Sequence, residues 1–235
     1  MYEVHVLKEG YNIKQGPGKQ KSCGSITLLK GPRNIIVDTG NPWDKELILE
    51  ALRGFSLEPN DVHYVVCTTA HSDKVGNLNL FGRAVGIMAG EVSQHQHYFR
   101  HGFTEGIPYE IDDDIEVVAT PGHTGSDVSV IVKNTKQGTV AVTGDLFERS
   151  EDLEDFTLWQ ENSEYPEIQQ QNRLEVLRFA DWIVPGHGPM FQVPQEYKSQ
   201  LRMVMFNEFK STTTDSADGH VESFSESTYT VIEQD

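Results

Sequence analysis

Five apolar runs in this chain stop abruptly in short polar loops: Asp38-Thr39, Ala70-His71-Ser72-Asp73, Pro121-Gly122-His123, Gly144-Asp145 and Pro185-Gly186-His187. The runs before them (IIV, HYVVC, IEVVA, TVAVT and DWIV) are short, rich in β-branched residues and bounded by turn formers, as buried strands are. Helical spacing intervenes: Leu47, Ile48, Ala51 and Leu52 recur on one face of KELILEALRGF, opened by Pro42-Trp43-Asp44, and 166–180 reads as a second helix. Strands alternating with helices make the fold class α/β. On such scaffolds ligand sites gather where strand ends converge on one rim, so these five ends predict one convergent site.

Further strands are expected at 2–8, 24–37 (turning at Gly31-Pro32), 84–90 and 128–134, and a helix-like segment at VGNLNLF. The 11–23 stretch, YNIKQGPGKQKSC, reads as loop, and 91–115 as less regular. The acidic run 148–156 reads as a solvated insert. One domain is expected over 1–210. Residues 211–235 are rich in Ser, Thr, Asp and Glu with no Lys or Arg, and read as a disordered acidic tail.

With 36 acidic against 19 basic residues the net charge is −17. No basic stripe is visible, which weighs against binding nucleic acid by phosphate neutralisation, although a locally positive site leaves RNA open. No apolar run reaches the ~18 residues of a membrane span, and MYEVHVLKEGYN lacks the pattern of a secretory signal. Cys23 and Cys67 give no disulfide framework. A cytosolic location, with the nucleus also open, and no membrane or disulfide-linked partner are therefore expected.

Taken singly, a His after Pro-Gly is more often a hydrogen-bonded turn residue, and an Asp closing a strand more often a helix cap. The conjunction is harder to dismiss, because His71, Asp73, His123, Asp145 and His187 all follow apolar strands. Imidazole and carboxylate in such loops suit zinc or iron. His95 and His97 also have H-x-H spacing, but in a polar segment that reads as surface. Cys67 reads as a core residue, and Trp43, Trp159 and Trp182 as packing residues.

These motifs, in this order, resemble the metallo-β-lactamase superfamily, in its glyoxalase-II-like branch. VDTG at 37–40 matches the second-strand signature and T-A-H-S-D-K at 69–74 aligns with the metal motif H-x-H-x-D-H. TPGHTGSDVSV, GDLFE and VPGHGP match the later His, Asp and His motifs. The resemblance covers roughly 2–192. It implies an αβ/βα four-layer sandwich with a two-metal hydrolytic site at one edge. It further implies His71 and His123 at the first metal, Asp73 and His187 at the second, Asp145 between them, and Asp38 supporting the metal loop. Homodimer formation is implied as well.

Two ligand positions depart from the pattern. Thr69 stands at the first His of the motif and Lys74 at the last. Two His and one carboxylate still form a zinc-binding set with an open position for water, whereas a protonated lysine has no lone pair to give a metal. The expectation is one zinc rather than two, with iron or manganese open, and Lys74 between Asp73 and Asp145. Catalytic roles are expected for Asp73, Asp145 and Lys74, the last as a point charge for the leaving group. The resemblance implies either a zinc endoribonuclease acting on histone pre-mRNA 3′ ends or a glyoxalase-II-like ester or thioester hydrolase. The alternative is a pseudoenzyme that persists as a binding or regulatory protein.

Overall fold

A computed structural model of the chain describes residues 1–198. The tail expected at 211–235 and the domain end expected at 210 lie outside the described residues. The strands, in chain order, are β1 (Glu3–Lys8), β2 (Tyr11–Gly16), β3 (Lys19–Cys23), β4 (Ile26–Lys30) and β5 (Ile35–Val37). Helix α1 (Lys45–Gly54) follows, then β6 (Tyr64–Cys67), β7 (Val85–Met88), β8 (Glu91–Gln94), β9 (His97–Arg100), β10 (Tyr109–Asp112), β11 (Ile115–Ala119), β12 (Val128–Thr135) and β13 (Gly138–Gly144). The short helix α2 (Thr157–Gln160), α3 (Pro166–Phe179), β14 (Trp182–Pro185) and β15 (Phe191–Gln192) complete the described part.

Seven strands form one sheet in the order β1-β4-β5-β6-β7-β8-β9, and six form a second in the order β10-β11-β12-β13-β14-β15. Alternation along β4 and β5 explains how both faces of the first sheet are covered. Leu29, Ile35 and Val37 pack with Val117, Val130, Val142 and Val184 of the second sheet. Their neighbours Leu28 and Ile36 point the other way, onto Ile48 and Leu52 of α1. Helix α3 joins the second sheet's side, burying Val176 and Leu177 and donating from Asn172 Nδ2 to Pro121 O at 2.7 Å. Two mixed sheets face to face with helices outside them match the sandwich that the resemblance implies. Among the described residues no helix is long and apolar enough to cross a membrane.

Strand direction delivers the site. β5 runs parallel to β6, and β13 parallel to β14. β11 is antiparallel to β12, which is antiparallel to β13, so β11 and β13 point the same way. The carboxyl ends of each set therefore emerge together, carrying Asp38 and the 68–74 loop from one sheet and His123, Asp145 and His187 from the other.

Several expectations need correction. The 11–23 stretch is not loop but the β2–β3 hairpin, and 91–112 contains three further strands. The hairpin has no apolar alternation to reveal it and is held mainly by pairing, whereas 91–112 buries only scattered apolar residues, Val92 and Phe103 among them. The run 148–156 is not a solvated insert, since Glu148, Asp152 and Leu153 are buried. Trp159 is buried, but Trp43 is 77% exposed and is no packing residue. Replacing Leu52 by Ala should cost about 2–5 kcal/mol as a core truncation, whereas Trp43→Ala should stay within about 0.5 kcal/mol; urea denaturation of both variants checks the contrast.

Candidate metal centre

The loop between β6 and the site is pinned at both ends. Asp38 leaves β5 with φ 61°, a left-handed conformation uncommon for a residue with a Cβ. It turns the carboxylate back to accept bonds from Thr68 N and Thr68 Oγ1, both at 2.8 Å. Burial pushes the Asp38 carboxyl up to about 7, against the pull of Lys74 and the two Thr68 bonds. At the loop's far end, Thr39 N and Thr39 Oγ1 both donate to Lys74 O, at 2.6 and 2.9 Å. Asp38 thus lies behind the loop and touches no candidate ligand directly in these bonds.

His71, His123 and Asp145 meet in front of it. His123 Nε2 lies 3.4 Å from His71 Nδ1 and 3.4 Å from Asp145 Oδ2, and His71 Nδ1 lies 3.9 Å from that same oxygen. Ligand atoms about 2.0–2.2 Å from a tetrahedral zinc stand roughly 3.3–3.6 Å apart, so this triangle fits one ion with little movement. His71 is raised above its ordinary value, chiefly by its contact with Asp145 and despite desolvation. Thr69 is buried, and its hydroxyl is a poor substitute for imidazole.

Lys74 stands among the residues that the resemblance assigns to a second metal. Lys74 is wholly buried, and its Nζ donates to Asp145 Oδ1 at 2.8 Å and lies 3.4 Å from His187 Nε2. Burial pulls its ammonium toward neutrality, but Asp145, Asp73 and Asp38 outweigh this and hold it charged. His187 Nε2 lies 3.0 Å from Asp73 Oδ2, while Nδ1 lies 3.2 Å from Asp145 Oδ1 and 2.8 Å from Glu148 Oε2. The Nδ1 contacts are close in distance but not aligned as hydrogen bonds. Burial and Lys74 oppose protonation of His187, yet Asp145 and Asp73 push it up to about 11. Asp73 and Asp145, despite burial, are held well below the ordinary carboxylate range by these cations. Asp145, Glu148 and His187 also bring ligand atoms within 4.8 Å of one another, with the Lys74 ammonium standing among them, 2.8 Å from Asp145 Oδ1 and 3.4 Å from His187 Nε2.

Backbone space makes the arrangement possible. A side chain at Gly24 would meet Lys74 Cδ at 2.7 Å and Nζ at 3.1 Å, and one at Gly186 would collide with Asp145 Oδ1. Glycine at both places lets the lysine stem and the carboxylate approach the main chain.

Four further residues complete the centre and were not legible as site residues. Ser22 Oγ, on β3, donates to Asp73 Oδ2 at 2.8 Å. Glu148 closes the His187 side, and its backbone N–H donates to Asp152 Oδ2 at 2.6 Å. Asp152 pairs at 3.5 Å with Arg173, which is stacked over the Phe147 and Trp159 rings and donates to Leu146 O at 2.7 Å. The signal for Glu148 was the Leu-Phe pair that separates it from Asp145: an apolar pair keeps a segment in the core. Ser22 had no signal in a polar stretch. His95 and His97 are exposed, on the β8–β9 turn. Cys67 is buried in β6.

A cleft of about 470 Å³ opens over these groups, lined by His71, Asp73, His123, Asp145, Glu148 and His187 and by a rim of Asn, Gln, Ser, Thr and Glu. Lys74 does not line it; it acts on the cleft only through Asp145 and His187.

Residues 23–187 match the model of the metallo-β-lactamase superfamily. The chain belongs to that superfamily. It is 46% identical over 194 residues to metallo-β-lactamase domain-containing protein 1 of Xenopus laevis, covering 82% of each chain. It is 41% identical over 225 residues to the human protein of the same name, covering 83% of this chain and 84% of the other. Among solved structures it is similar in fold to the metallo-β-lactamase FIM-1 of Pseudomonas aeruginosa in its mono-zinc form, with a TM-score of 0.56 and 17% identity over 86% of this chain and 96% of that one. Superfamily membership makes the chain a metal-dependent hydrolase by family, and the Lys74 arrangement is what sets its site apart from the two-metal pattern. Replacing Lys74 by Met should destabilise the metal-free protein by about 3–5 kcal/mol, because Asp145 is left buried without its cation; denaturation in chelator measures it, and a loss under about 1 kcal/mol would contradict the pairing.

Proposed function

We propose that this chain is a single-metal hydrolase of small esters or thioesters, with the ion held by His71, His123 and Asp145. The observation that carries this reading is the 3.4–3.9 Å triangle of their ligand atoms at the floor of the cleft. A divalent ion bound there supplies an activated water at neutral pH and polarises a carbonyl.

The chain's own groups set up the rest. Asp145 divides its carboxylate, with Oδ2 toward the two His and Oδ1 held by Lys74. That bond fixes the carboxylate's rotation. Asp73 is fastened by Ser22 and His187, so it stays beside the cleft as a fixed anion. Lys74 and His187 together supply the positive charge that a second ion would bring, but from fixed positions behind Asp145.

Cleft size and lining favour a small substrate. About 470 Å³ lies within the range of small-molecule sites. No Lys or Arg lines it, so an RNA backbone would find no partner for its phosphates inside. Amide and hydroxyl groups around the rim suit the polar atoms of an acyl compound.

One observation favours a second reading. The Lys74–Asp145–His187–Asp73 group is paired without any metal, so the fold can persist as a binding protein that does no chemistry. Zinc-loaded protein should hydrolyse 4-nitrophenyl butyrate or a butyryl thioester, and chelation should abolish this. His123→Ala should lower kcat/KM by more than the roughly 10–100-fold typical of outer-shell changes. Turnover of neither ester with any divalent metal would favour the binding protein, and cleavage of single-stranded RNA without ester turnover would overturn the substrate class.

A further inference from the structure

The β2–β3 hairpin stands out from the body of the fold, with most of its residues exposed. Its base is tied down: Asn41 Nδ2 donates to Ser22 O at 3.3 Å and Arg149 donates to Asn12 O at 3.4 Å. Asn12, Gln20 and Ser22 line the cleft. Pairing joins Asn12 to Ser22 and Lys14 to Gln20. Alternation along the strands then puts Lys14 on the cleft-facing side, roughly 7 Å beyond Asn12. Lys19 and Lys21 alternate onto the opposite face, where the Lys21 ammonium sits 5.4 Å over the Tyr11 ring.

Across the cleft lies the 161–165 segment. It is fixed to the metal-side loop by Glu164 N to His123 O at 3.1 Å, Tyr165 N to Gly122 O at 2.8 Å, and Ser163 Oγ to Gly122 O at 2.9 Å. Asn162 and Glu164 line the cleft from this side. Lys14 Nζ reaches over to Glu161 Oε2 at 2.8 Å, with both side chains well exposed. One ammonium therefore stands at the mouth of a cleft whose lining includes no Lys or Arg.

We infer that Lys14 is a specificity-determining residue that binds an anionic group of the substrate, a carboxylate or phosphate remote from the scissile acyl bond. An exposed ion pair contributes little, so a substrate anion can take the place of Glu161 on Lys14 at small cost. The acyl group would then lie along Asn12, Gln20 and Ser22 toward His71 and His123. A single cation fits one anionic group, and the rim carboxylates Glu161 and Glu164 disfavour the repeated phosphates of a nucleic acid. This inference rests on the hydrolase reading for its acyl chemistry, but the anion site can be measured without it.

The test compares mono-4-nitrophenyl esters of C4–C8 dicarboxylic acids with neutral 4-nitrophenyl esters of matched length. At least one anionic ester should show the higher kcat/KM. In Lys14→Glu the anionic-to-neutral ratio should fall by about twofold to fivefold, the scale of an exposed ion pair, with the loss in KM. Lys136→Glu makes the same charge change at an exposed position away from the hairpin and should leave the ratio as it was. An unchanged ratio in Lys14→Glu, or an equal fall in Lys136→Glu, would overturn the proposal. If no ester turns over, the hydrolase reading has failed, and the anion site is judged by NMR titration with the matching dicarboxylic monoanilides: weaker binding by Lys14→Glu supports it, and equal binding overturns it. A Lys14→Glu effect confined to binding of single-stranded RNA overturns it also.

Discussion

Everything distinctive about this centre depends on the buried contact between the Lys74 ammonium and Asp145. Placing either ion in the interior alone would cost several kcal/mol. The cost is offset because Lys74 has Asp145 at hydrogen-bond distance, with Asp73 and Asp38 also acting on it, and because Gly24 leaves room for its stem. With Oδ1 committed to lysine, Asp145 has Oδ2 for the two histidines, which on the proposed reading makes the centre a single-metal one. His187 lies between Asp73, Asp145 and Glu148, and Asp145 and Asp73 raise its pKa against the effect of burial.

The scaffold supplies the precision this needs. Each sheet contributes strand ends that point the same way, so the 68–74 loop and the His123, Asp145 and His187 loops are delivered to one edge by the register of the strands. Asp38 and Thr39 then set the first loop from behind, through Thr68 and the Lys74 carbonyl. On the other side Arg173, stacked between Phe147 and Trp159, holds the Asp152 and Leu146 backbone and with it the segment that carries Glu148. The pocket's charge pattern follows: strongly paired below, amide and hydroxyl on the walls, and one exposed lysine at the mouth.

Much of this was legible in the sequence because buried strands and the residues after them leave strong local signals. IIVD, HYVVC, TVAVTGD and DWIVPGHG show the α/β class and the address of the site, and Thr69 and Lys74 show as departures as soon as the motif is aligned. Where Lys74 points could not be read, since its direction is set by the space at Gly24 and by Asp145, which are remote in sequence. The β2–β3 hairpin was missed because YNIKQG and KQKSC bury almost nothing; pairing alone makes them strands. Glu148 was misread for the opposite reason, as an acidic composition hid a residue held inside by Leu146 and Phe147. Trp43 shows that size and aromaticity do not by themselves place a residue in the core.

The claim on which the rest turns is that a lysine has taken the place of one metal ion. The most direct measurement is the zinc content of protein reconstituted with excess zinc, dialysed, and weighed by native mass spectrometry. One zinc per chain is the expected result. Two would contradict the occupation of the second position by Lys74, and none would contradict the His71, His123 and Asp145 site.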